Sequence, residues 1–276
     1  MRPRSFEELA TLPDGEIDVL FGAALVARDV YEEVDIDVLL ARFSDLAAEV
    51  PPLAGKTPHE QARAITARFR NLGFRGNVED YYDPKNSLLP DVLDRRLGIP
   101  ITLTLVWCEI ARRNGVHARG VGFPGHFLAR VDLADARPDN APVIVDPFGG
   151  GRIVEPEDAK ELLRRAVGEG PELDPSLFAP ATSRTILVRL LTNLKAIWAS
   201  RGDHARAFVA IDRIVTLVPD SARMLRERAG VALRLGITEL ARADLARVVE
   251  LEPKAPDVPL IKKRLADLSA TRSIVN

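Results

Sequence analysis

A single cysteine, Cys108, occurs in 276 residues. That excludes a disulfide framework and any metal site built on several thiolates. Histidine is nearly as scarce. His59, His117, His126 and His204 are the four present, and none falls in an HxxxH or HExxH spacing, so no metal site or cofactor is expected. Aromatic residues make up 5% of the chain, and no basic cluster interleaves with them, which argues against a nucleic-acid partner. No uninterrupted apolar run nears the ~18 residues of a membrane span, so no membrane partner is expected. The first residues, MRPRSFEELATLPDGE, carry acids where a signal peptide needs an apolar core. A cytoplasmic home is therefore the expectation.

What is present describes an ordinary globular chain. Apolar residues are 46% of it and the net charge is −2, and the length suits one large domain or two modest ones. The charge is uneven. Residues 1–60 hold 5 basic and 13 acidic side chains, whereas residues 184–254 hold 13 basic and 8 acidic. This fits solvated helix faces, two ends that attract each other, or a basic end that meets an acidic partner.

Residues 5–50 show two or three helical stripes, one through Ile17, Leu20, Phe21, Ala24 and Leu25, the next through Ile36, Leu39, Leu40, Phe43 and Leu46. Thr57-Pro58-His59-Glu60 spells a capping box for a helix that runs to Gly73. Asn86 or Ser87 is expected to cap a short helix bearing Leu88, Val92, Leu93 and Leu97. Pro100 then opens a helix to about Arg113 that is apolar nearly all round, and such a helix belongs in a core. VHARGVGF and HFLARVDL read as strands, with Pro124-Gly125 breaking the chain before His126. ADARPDNAP reads as a polar hairpin loop, PVIVDPF as the return strand ending at Asp146, GGGR as a flexible turn and EPEDAKELLRRAV as a helix.

Residues 171–182 lie in a Pro-, Gly- and acid-rich stretch and are taken as a linker between domains at 1–170 and 183–276. Past it the chain repeats. Gly202 and Gly236, Ala207 and Ala241, Ile214 and Val248, Leu217 and Leu251, and Pro219 and Pro253 all stand 34 residues apart. That period, with small residues at the helix crossing and a terminal proline, is the tetratricopeptide pattern. Two repeats fit, about 187–220 and 221–254, followed by a closing helix. Lys195 stands where the pattern usually has glycine. Two repeats fall short of the roughly three that a free array needs, so intramolecular docking on the N-terminal domain is expected.

The segments YYDPKNSLLPDVLDRRLGIPITLTLVW, GVGFPGHFLAR and VDPF, in that order, resemble the SirB-type family of bacterial proteins. The resemblance runs from about residue 15 to 255. It implies an α+β fold: a papain- or transglutaminase-like domain of helices packed on a small antiparallel sheet, then the all-α repeats. It also implies kinship with enzymes that use a Cys thiolate at a helix start, a His that takes its proton and an Asp that orients the His. His126 and Asp146 occupy the His and Asp positions. Each also has a structural reading: a partly buried His bonded to Asp146, and a strand-end turn at Asp146-Pro147.

The Cys position falls on Pro100, with Ile101 next, and neither is a nucleophile. Cys108 lies seven residues past Ile101, about 10 Å along the helix axis, in apolar surroundings that raise a thiol pKa. It reads as a core residue. Thr102 and Thr104 are nearer the helix start. Two functions stay open beside a purely structural subunit whose cleft is filled by its own side chains. The first is a pseudoenzyme that binds a protein or peptide through its repeats and residual cleft. The second is a hydrolase or acyltransferase that uses Cys108, Thr102 or Thr104 with His126 and Asp146. Candidate binding residues are Asn86, Arg119, Gly125 and Trp198; Arg119 equally suits a surface salt bridge, and Trp198 equally suits packing within its repeat.

Overall fold

Side-chain caps set where the early helices begin. In a computed structural model, which describes residues 3–132 and 142–275, a short α1 (Phe6–Thr11) leads to α2 (Val19–Arg28). Asp18 starts α2 by accepting from the Phe21 amide at 3.1 Å. Asp35 starts α3 (Ile36–Ala47) by accepting from the Val38 amide at 3.0 Å. At α4 (Pro58–Asn71) the expected capping box is formed. Thr57 Oγ1 accepts from the Glu60 N–H, and the Glu60 carboxylate accepts from the Thr57 N–H. Each such cap stabilises its helix by about 1 kcal/mol.

Between α4 and the central helix lies a pairing that the sequence does not announce. Strands β1 (Arg75–Gly76) and β2 (Leu97–Gly98) run parallel and flank α5 (Leu89–Arg95). Two-residue strands are too short to show a period. The cap expected at α5 is absent. Leu88 holds that position without a side-chain bond, and Asn86 and Ser87 belong to a preceding 3-10 turn that Asp83 caps.

Helix α6 (Pro100–Arg113) is buried nearly all round, with Leu103, Val106, Trp107, Ile110 and Ala111 fully covered. Helices α3, α4 and α5, the β1–β2 pair and the four-stranded sheet together cover it. That sheet is antiparallel in the order β3 (His117–Val121), β4 (Leu128–Asp132), β5 (Val143–Asp146), β6 (Arg152–Ile153). The hairpin loop expected at 134–142 lies, but for its last residue, outside the described residues. The GGGR stretch turns as expected at its glycines, but its Arg152 already belongs to β6. Gly150 and Gly151 both take φ 75°, a backbone open to glycine at little cost, and this tight reversal pairs Arg152 with Asp146 as β6.

Helix α7 (Pro156–Val167) closes over the sheet through Ala159 and Leu163, in a cluster with Val121, Phe123, Leu128, Ile144 and Val154. Leu173, Leu177 and Phe178 pack on the same cluster, so the stretch read as a linker is anchored to the core.

The chain forms two compact units, Leu12–Leu190 and Met1–Thr11 with Leu191–Asn276, divided inside α8 (Ser183–Ser200). The first is α+β as expected. The second is helical: α9 (His204–Leu217), α10 (Ala222–Arg234), α11 (Thr238–Leu251) and α12 (Val258–Val275). The 34-residue period is visible in its geometry. Helices α9 and α11 begin and end at equivalent positions, and Gly202 and Gly236 take φ 74° and 75°. Inside this unit the acidic beginning of the chain meets its basic end, with Glu7 paired to Arg213 and the Arg213 guanidinium 5.2 Å from the Phe6 ring centre. Arg228 joins α9, α10 and α11. It donates twice to Asp244, at 2.8 and 2.6 Å, and once to Asp212 at 2.6 Å.

Candidate functional site

The turn Gly122-Phe123-Pro124-Gly125 delivers His126 to the end of β5. Gly125 has φ 63°, and a Cβ there would stand 2.8 Å from Ala166 Cβ. Only glycine fits both conditions. His126 Nε2 lies 2.8 Å from Asp146 Oδ1, with side-chain exposures of 12% and 5%. Asp146 Oδ1 also accepts from the Gly149 N–H at 3.0 Å, and Arg152 Nε stands 3.6 Å from Oδ2. Burial pushes the Asp146 carboxyl pKa up, but the hydrogen bond and charge of His126, the Gly149 amide and Arg152 together hold it below the ordinary carboxylate value. An ionised Asp146 so placed orients the imidazole and leaves Nδ1 as its second polar atom.

Three neighbours of this pair escaped the sequence reading. Phe148 meets the His126 ring edge-on at 5.9 Å and the Tyr81 ring at 6.0 Å. Gly76 lets Phe148 lie flush, since a Cβ there would be 2.6 Å from the ring. Arg189, from the first part of α8, donates to the backbone carbonyls of His126 at 2.6 Å and Phe123 at 3.1 Å, and so pins the turn. Its 63-residue separation from His126 leaves no local pattern to read. Phe148 and Tyr81, by contrast, lie within the VDPF and YYDPKNSLLP segments.

At the start of α6 stand Ile99, Pro100 and Ile101, all buried and apolar. Thr102 Oγ1 donates to the Asn86 carbonyl at 2.7 Å, and Thr104 Oγ1 donates to the Phe127 carbonyl at 3.2 Å. Both hydroxyls belong to fully buried side chains. Burial, with Glu109 beside it, pushes the Cys108 thiol up from 9.0 to about 12. Among the described residues no group of three His, Cys, Asp or Glu side chains could hold a metal ion, and no helix is long and apolar enough to cross a membrane.

Residues 35–192 match the transglutaminase-like superfamily, and residues 194–266 match a tetratricopeptide repeat family. A UPF0162 protein of Xylella fastidiosa is 38% identical over 274 residues, which cover 97% of this chain and 95% of that protein. The chain belongs to the transglutaminase-like superfamily, within the UPF0162 group. A UPF0162 protein of Pseudomonas aeruginosa is 34% identical over 78% of this chain and 76% of its own. Human F-box only protein 21 is 29% identical over 76% of this chain, but over only 36% of its own length.

Within this transglutaminase-like chain, the candidate binding residues fall into place as follows. Asn86 is corrected from a ligand contact to a buried fastener. Its Nδ2 donates to the carbonyls of Asp80 and Tyr81, and its Oδ1 accepts from Asn77 Nδ2 at 3.0 Å. Both amide hydrogens are spent and the side chain is fully buried, so no donor is left for a ligand. Arg119 is exposed and bonds Asp132 across β3 and β4 at 2.7 Å, which is the surface salt bridge reading. Gly125 shapes the turn, as above. Trp198 is corrected too: at 6% exposure it is a packing residue of its repeat.

Proposed function

We propose that this chain is a SirB-type pseudoenzyme, a transglutaminase-like protein that works by holding a protein or peptide rather than by acyl transfer. The observation that carries this is the state of every candidate nucleophile. The helix start is apolar, the two threonine hydroxyls are spent on backbone carbonyls, and the Cys108 thiol is pushed up to about 12. A thiol at that value is almost wholly protonated at neutral pH. On this reading residues 1–170 are the transglutaminase-like part and 183–276 the binding repeats. The groove that supports it lies within the repeat unit. It is a cavity of 370 Å³ lined by Lys195, His204, Ala207, Arg226, Gly230 and Arg234 among others.

A second reading keeps catalysis, and the intact 2.8 Å pair of His126 and Asp146 favours it. One comparison separates them. Gly230→Glu puts a side chain into the groove from a site where a Cβ meets open space. A partner isolated with the wild type should be lost by Gly230→Glu and kept by His126→Ala. Turnover of a thioester or amide substrate that His126→Ala abolishes would decide for the enzyme.

A further inference from the structure

Beside the His126–Asp146 pair, on the outer edge of the α+β unit, lies a surface cavity of 370 Å³ between α4 and β6. Three arginines line it: Arg63, Arg70 and Arg152. Arg63 and Arg70 are seven residues apart on α4, nearly two full turns, so they lie on one face with Thr66 between them. Arg152 approaches from β6. We propose that this cavity is an oxyanion subsite that takes a phosphate group.

The site is built rather than casual. Gly151 passes against Thr66 so closely that a Cβ there would stand 2.6 Å from the Thr66 methyl. Thr66 Oγ1 donates to the Gly151 carbonyl at 3.0 Å and accepts from Trp107 Nε1 at 3.2 Å. The glycine turn is thereby fixed to the core helix α6. Arg70 donates through Nε to the Gly150 carbonyl, which holds its stem while its two terminal nitrogens stay available. Arg152 is steadied by Asp158 at 3.0 Å and by Asp146 at 3.6 Å. Arg63 has no partner among the described residues. With both aspartates counted against the three guanidinium groups, the cavity keeps a positive excess.

Planar guanidinium forks match phosphate oxygens in pairs. The open forks of Arg63 and Arg70, with the remaining terminal nitrogen of Arg152, suit a tetrahedral group with several oxygens better than a two-oxygen carboxylate. The turn's own amides are already used, with Gly150 N–H bonded to Pro147 and Gly151 N–H to Asp146. Recognition therefore falls to the side chains. The group could arrive as free phosphate or as the phosphate of a small ester, and the chemistry at the arginines is the same. This proposal depends neither on the repeat groove nor on whether His126 is catalytic.

The test is isothermal titration of the full chain in low-chloride buffer at pH 7.5 with inorganic phosphate, phenyl phosphate and acetate. One saturable phosphate site is expected, with acetate at least about tenfold weaker, as fits fewer charge-assisted bonds. Arg63→Gln and Arg70→Gln should each weaken phosphate about tenfold, one lost charged contact apiece. Arg70→Lys should lose part of that, because the charge stays and the fork goes. Unchanged circular dichroism melts would show that these exposed substitutions leave the fold alone. Tighter binding of phenyl phosphate would assign the ester as the source, and equal binding the free ion. No saturable binding of either, acetate equal to phosphate, or variants that bind like the wild type would overturn the proposal.

Discussion

The lone cysteine gives the sharpest test of the pseudoenzyme reading, because its reactivity can be measured without knowing any substrate. Cys108 lies on the central helix α6 beside Glu109, whose carboxylate is buried under Arg112 and Arg113. With the thiol moved from 9.0 to about 12, three pH units cut the thiolate fraction at pH 7.5 about 1000-fold. A more basic thiolate is also a better nucleophile. With a Brønsted slope of about 0.45, that recovers about 20-fold. The net expectation is disulfide exchange about 50-fold slower in the native protein than in the unfolded chain. The assay is release of thionitrobenzoate from Ellman's reagent, run native and in 6 M guanidinium, with Cys108→Ala as the blank. A native rate equal to or above the unfolded rate would refute the argument. It would mean an accessible, low-pKa thiol and would return Cys108 to the list of nucleophiles.

Two further outcomes follow from the geometry. Asp146→Asn removes a carboxylate whose folded-state pKa is depressed. Such a group adds stability above its unfolded pKa, near 3.8, and loses it as pH falls through the folded value. The wild type should therefore exceed Asp146→Asn by about 1–2 kcal/mol at pH 7 in urea melts, charged bonds being replaced by neutral ones, and the gap should narrow progressively as pH falls below about 3.8. In the repeat unit, Arg228→Ala strands Asp244, which is 3% exposed. The cost of breaking such a buried pair is about 3 kcal/mol, a fall of roughly 10–20 °C in the melting of a unit this size by calorimetry. The double variant Arg228→Met, Asp244→Leu should recover most of it. A single variant that melts like the wild type would show that the clamp contributes little.

The sequence by itself determined everything that local pattern can carry. The 34-residue period placed two helical hairpins in equivalent register, because each repeat's apolar and glycine positions act within one hairpin. The capping box at Thr57 and the all-round apolar character of α6 were legible for the same reason. So was the lack of a thiol at the start of α6, where Pro100 and Ile101 stand. The short strands were not legible. β1, β2 and β6 have two residues each, and β6 exists only because Gly150 and Gly151 turn the chain back on β5. Asn86 looked like a helix cap because Asn often is one, yet its amide closes a buried network with Asn77, Asp80 and Tyr81. Arg189, Phe148 and the three arginines around Gly151 come together only through the path of the chain. Tertiary structure alone decided those meetings. A side chain's neighbours along the chain state its propensity, but the groups that neutralise it, orient it or leave it free for a ligand arrive from tens of residues away.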